Sequence, residues 1–148
     1  MINNADHREK YMSDIYPKEL VLVPDDTDGQ SCPFLDLQVV ITDNIISTSI
    51  YDKRDAFDFP FVNFPTLTGN IPKKSSYGVF TCELVRYARA CSYYEDFESR
   101  TLSLVTKLKK QGFSCRLLKT TFIKFVNTHI LLVQKYGCQV VSLYKKWM

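Results

Sequence analysis

Clustered carboxylates come first among the residues that could do chemistry, because polymerases hold two Mg²⁺ ions between such groups. Asp25 and Asp26 adjoin, and Asp28 follows two residues on. The pair is preceded by Leu22-Val23-Pro24, with no aromatic residue, and runs into a polar, turn-rich loop. That context describes solvated loop acids rather than the tight strand-to-strand turn a polymerase metal site needs. His7 and His129 stand alone in sequence. His129 lies on an apolar helical seam, the setting of a hydrogen-bonded core histidine. The five cysteines (Cys32, Cys82, Cys91, Cys115 and Cys138) show no C-x-x-C spacing and no His-containing metal spacing. They read as free thiols of a reducing compartment. No Ser-His-Asp or Cys-His arrangement has support, and there is no glycine-rich phosphate loop. No catalytic residue, metal ligand or cofactor is assigned on this basis.

Basic residues are the stronger signal. The net charge of +3 conceals a division: residues 1–98 carry nine Lys/Arg against sixteen Asp/Glu, a balance of −7. Residues 99–148 carry ten Lys/Arg and no acid, a balance of +10. Such a stretch sets up a positive field that favours phosphate backbones or other anionic surfaces, and it also serves as an ordinary solvated face. Arg86 and Arg89 are three residues apart and share one side of a helical pattern, off its apolar stripe. Arg100, Lys107 and Lys110 align at i, i+7 and i+10 on the next helix. Together they are candidate contacts to an RNA or DNA backbone, gripping phosphates without reading bases. The alternative is that Arg86 pairs with Glu83 and the lysines face water. Lys53-Arg54, between Asp52 and Asp55, reads as a local salt-bridge network fixing a turn or as a further phosphate contact.

The chain that must position these groups has 148 residues, 45% of them apolar and 14% aromatic. That is enough for one domain, or a small domain with an extra layer, and argues against general disorder. A polar N-terminus carries no signal-peptide pattern, and no apolar run approaches membrane-spanning length. An intracellular protein, cytoplasmic or nuclear and not bound to membrane, is expected.

Along the chain, residues 5–15 suit a short helix and residues 20–23 a short strand, followed by a polar loop at 24–33. Leu35, Leu37, Val39 and Ile41 then alternate as a half-buried strand. Asp43-Asn44 supplies a tight hairpin turn, and Ile46, Thr48 and Ile50 return. Residues 52–76 are irregular yet rich in Phe57, Phe59, Phe61, Val62 and Phe64, so this loop is expected to wrap over a neighbour. Three helices follow. The first, 77–91, bears a stripe of Phe80, Leu84, Tyr87, Ala88 and Cys91. The second opens on a capping box, Ser92 to Glu95, carries Phe97, Thr101, Leu104, Val105 and Leu108, and stops at Gly112. The third, 114–136, repeats Leu118, Phe122, Phe125, His129, Leu132 and Tyr136 as an antiparallel bundle seam. Residues 138–148 are an unassigned tail.

Several short stretches carry a family likeness. FLDL (34–37), YDKRD (51–55), VNFP (62–65), NIP (70–72), YGV (77–79), LVRYARAC (84–91) and QGF (111–113) occur in this order. In order and spacing they resemble the region downstream of the catalytic aspartates in reverse transcriptases of animal retroelements, Penelope-like and related types. INN (2–4) and IYPKEL (15–20) resemble the segment following the aspartate turn. The resemblance runs over residues 2–136; Ser75 stands where proline is frequent, and the tail matches nothing recognisable.

It implies an α+β fold: a β-hairpin or small antiparallel sheet followed by a three-helix, thumb-like bundle. The corresponding divisions are a residual palm segment (1–76), a helical bundle (77–137) and a tail (138–148). It further implies a reverse-transcriptase (RNA-directed DNA polymerase) fragment that starts past the metal site. Such a fragment would be inactive alone and would retain template–primer backbone contacts, with Mg²⁺ required only by the intact family enzyme and the missing palm and fingers as a partner. A stand-alone basic nucleic-acid-binding module, or a protein-interaction module using the aromatic loop, is the alternative.

Overall fold

The computed structural model describes residues 15, 17, 19–20, 30–57, 64, 66–67 and 69–147. The expected helix at 5–15, the strand at 20–23 and the Asp25-Asp26 pair lie outside the described residues or almost wholly so. Phe59, Phe61 and Val62 of the aromatic loop also lie outside them.

Three antiparallel strands form a meander in the order β1 (Ser31–Phe34), β2 (Leu37–Thr42) and β3 (Ile45–Ile50). The β2–β3 hairpin turns at Asp43 and Asn44, with φ of 51° and 62°. Positive φ at both central residues is the turn geometry that matches strand twist, and Asp and Asn tolerate it. Thr42 therefore faces Ile45, and Leu37 faces Ile50. Strand β1 corrects the expectation of a loop through residue 33. Ser-Cys-Pro lacks alternation, yet Pro33 at a sheet edge loses no central ladder bond. Leu35 is consequently a turn residue at φ 56° and largely exposed, not part of the strand.

Helix α1 (Lys73–Ala90) starts four residues before the expected boundary, directly after Pro72. Ser76 is buried there, its N–H donating to the Pro72 carbonyl at 3.1 Å. Helix α2 (Tyr94–Lys110) buries the five stripe residues named above. Its C-terminus closes as a Schellman motif: Gly112 adopts φ 88° and donates to the Lys109 carbonyl at 3.1 Å, while Phe113 N–H reaches the Leu108 carbonyl at 3.1 Å. Phe113 then buries edge-on against Tyr77, with ring centroids 5.0 Å apart.

The third helix is not continuous. Helix α3 (Cys115–Thr128) ends at His129, where ψ reaches 37°. A short α4 (Ile130–Val133) and a 3-10 turn (Gln134–Tyr136) follow before Gly137. Asn127 and Thr128 are weak helix formers. The break lets Tyr136 donate its hydroxyl to the Cys91 carbonyl at 2.8 Å. The tail is structural: α5 (Gln139–Ser142) and a 3-10 turn (Leu143–Trp147) bury Val140, Leu143 and Trp147. Trp147 meets Phe80 and Phe122 edge-to-face at 5.9 and 5.2 Å. One continuous core joins α1 to α5 and takes in Ile50 from the sheet. The fold is α+β, a three-stranded sheet followed by a helical bundle.

Candidate nucleic-acid interface

Sheet and bundle meet at the end of α1. Thr48 N–H donates to Ser92 Oγ at 2.9 Å, Ser92 N–H donates to the Thr48 carbonyl at 2.7 Å, and Thr48 Oγ1 donates to the Ala90 carbonyl at 2.6 Å. This seam satisfies part of the outer edge of β3. It also corrects the expected capping box: Ser92 is spent on the sheet, Tyr93 takes the N-cap position of α2, and no side chain caps that helix.

The juncture places the candidate cations. Arg86, on α1, donates Nε to Asp36 Oδ2 at 3.0 Å and Nη1 to Glu83 Oε2 at 3.3 Å. Arg100, on α2, donates Nη1 to Asp55 and Nη2 to the Ile50 carbonyl at 2.7 Å. Lys107 Nζ lies 3.9 Å from Asp55 Oδ1. Arg54 forks onto Asp52, with Nε and Nη2 at 2.7 and 2.8 Å from its two oxygens. The hydrogen bond from Arg54 holds the Asp52 carboxyl below its ordinary range. The local network expected at 52–55 is thus present as the Asp52–Arg54 pair, while Asp55 turns to α2 instead.

Arg54, Arg86, Arg100 and Lys107 line one small cleft with Asp52, Glu83 and Tyr87. Burial raises the Tyr87 phenol, so it stays a neutral wall of that cleft. Arg89 lies outside it, exposed, in a shallow groove with Asp36, Leu37 and Cys82. Lys110 is exposed at the end of α2. The structure therefore gathers Arg86, Arg100 and Lys107 in the cleft, places Arg89 in the adjoining groove that Arg86 also lines, and leaves Lys110 apart. Among the described residues Arg89, Lys110, Arg116, Lys119 and Lys124 form no ion pair. Arg116 and Lys119, three residues apart on α3, belong to the acid-free stretch but have no individual motif to single them out.

Asp36, Asp52, Asp55 and Glu83 each face a guanidinium, and among the described residues no three His, Cys, Asp or Glu side chains converge as ligands. Cys32, Cys82, Cys91, Cys115 and Cys138 are free thiols, with Cys91 buried. No described helix is long and apolar enough to cross a membrane. No protein-family model, no curated protein and no solved structure matches the chain.

Proposed function

We propose that this chain is the backbone-gripping part of a reverse-transcriptase-like protein, the last palm hairpin and the thumb, and that it holds a template–primer duplex by its phosphates without reading sequence. The observation that carries the reading is the acid-free run from residue 99 onward, whose Lys110, Arg116, Lys119 and Lys124 have no carboxylate partner among the described residues. The order of motifs from FLDL to QGF supports the same identity. Unpaired cations on successive helices neutralise phosphates and release counterions, which favours binding to any duplex and makes it salt-dependent. In this reading residues 99–148 supply grip, and nucleotide addition needs an aspartate turn from elsewhere.

The test is a titration of a labelled RNA–DNA hybrid at increasing salt. If about four phosphates are neutralised, the slope of log K against log salt is roughly −3.6, about a hundredfold loss between about 50 and 200 mM salt. Binding that ignores salt overturns the reading. Primer extension with Mg²⁺ or Mn²⁺ should give no product, and robust synthesis would overturn the assignment of catalysis to another segment.

One observation favours the alternative of a protein-interaction module: Phe57, Ile41, Ile45 and Ile46 leave apolar surface exposed at the sheet and its following turn. That reading predicts no salt-dependent binding of the hybrid, so the same titration decides between the two.

A further inference from the structure

We propose that Asp55 is a built-in competitor for nucleic-acid phosphate: its carboxylate covers the Arg100 and Lys107 side of α2, and a backbone phosphate takes its place when a duplex docks. The inference rests on the backbone-binding reading above and assigns that reading a guarded contact surface. One carboxylate here faces two cations of the same helix, accepting from Arg100 and lying 3.9 Å from Lys107. Lys110, farther along that side of α2 and without an ion pair among the described residues, extends the row.

The segment carrying Asp55 is built to move away cheaply. The turn Lys53–Ala56 buries no residue. Its entrance is anchored independently, because Tyr51 N–H donates to the Asp36 carbonyl at 2.9 Å and Ile50 is buried in the core. Asp55 can therefore leave α2 while Ile50 and Tyr51 hold the chain on the sheet. Arg100 keeps its place as well, since its second nitrogen is fixed on the Ile50 carbonyl at 2.7 Å. The side chains of Asp55 and Lys107 are 45% and 44% exposed, so a phosphate arriving from solvent meets both cations at the surface.

Relative strengths favour the exchange. A partly exposed ion pair contributes little and is screened by salt. A phosphate that replaces it releases condensed counterions from the nucleic acid. At low salt the duplex wins; as salt rises the internal carboxylate regains α2. Asp55 thus raises the threshold for binding and steepens discrimination between a dense phosphate array and a single anion.

The experiment compares the wild-type chain, Asp55→Asn and Asp55→Asn/Lys107→Gln by anisotropy of a labelled RNA–DNA hybrid. Asp55→Asn should bind about fivefold more tightly, the loss of one surface pair of order 1 kcal/mol, and Lys107→Gln on that background should cancel most of the gain. Wild-type binding with a normal salt slope and no tightening in Asp55→Asn overturns the competitor role while leaving the backbone-binding reading intact. Failure of both wild type and Asp55→Asn to bind overturns both. A second measurement needs no variant: amide exchange at residues 53–57 of the wild type should accelerate when hybrid is added. Unchanged or slower exchange there would also sink the proposal.

Discussion

Thr48 and Ser92, 44 residues apart, exchange hydrogen bonds in both directions: the backbone N–H of each reaches the other residue, one to a side-chain oxygen and one to a carbonyl. The Thr48 hydroxyl adds a third bond to the Ala90 carbonyl. This short seam joins the meander to the bundle, and through Ile50 it fixes where Arg100 finds its backbone acceptor. Ser92→Ala removes an acceptor and leaves the Thr48 N–H without its partner. A destabilisation of about 0.5–1 kcal/mol is expected, read as a lower urea midpoint by circular dichroism with an unchanged slope.

Trp147 closes the core against Phe80 and Phe122 and is 4% exposed. Trp147→Ala should cost about 3–5 kcal/mol, a large share of what a domain of this size has to spare. The check is thermal unfolding; a melting temperature within a degree or two of wild type would mean the tail is dispensable.

Asp52 gives a signed pH effect. The Arg54 hydrogen bond lowers its carboxyl below the ordinary 3.8. Its contribution is therefore fully present above the unfolded value and is lost as pH falls through the lower folded value. As pH falls below about 4, wild type should lose stability in excess of Asp52→Asn, with the two curves converging at the acid end. Parallel curves throughout would show that the pair contributes nothing.

Charge reversal of Lys110, Arg116 and Lys119 should flatten the salt dependence of hybrid binding by about one unit of slope for each phosphate no longer neutralised. Reversal at Arg86 should act differently, lowering stability through its ties to Asp36 and Glu83. A triple variant with wild-type affinity would remove α3 from the binding surface.

Much of the fold is legible in the residues. The hairpin can be read because Asp43-Asn44 combines turn chemistry with flanking alternation, and α2 because Phe97, Thr101, Leu104, Val105 and Leu108 keep one period from start to finish. The Gly112 stop is equally plain. Strand β1 is hidden because Ser31-Cys32-Pro33 has neither alternation nor strong strand propensity, and pairing with β2 alone makes it a strand. The break at His129 is hidden because the apolar period continues through it, while the hydrogen bond of Tyr136 to Cys91 is a tertiary demand. The candidate site divides the same way. Types and spacing locate Arg86, Arg100 and Lys107, but Asp36 lies 50 residues from Arg86 in the chain and Asp55 lies 45 from Arg100. No local pattern carries that information, so the pairing of these cations emerges only once sheet and bundle are joined.

Since the chain holds a single tryptophan, the aromatic cage around Trp147 turns the molecule into its own optical probe. Its indole, walled off from water by two phenyl edges, should emit at short wavelength when the last turn is seated and shift red when it is released. Unlabelled protein can thus report, in one emission spectrum, whether its final residues are docked on the three helices they seal.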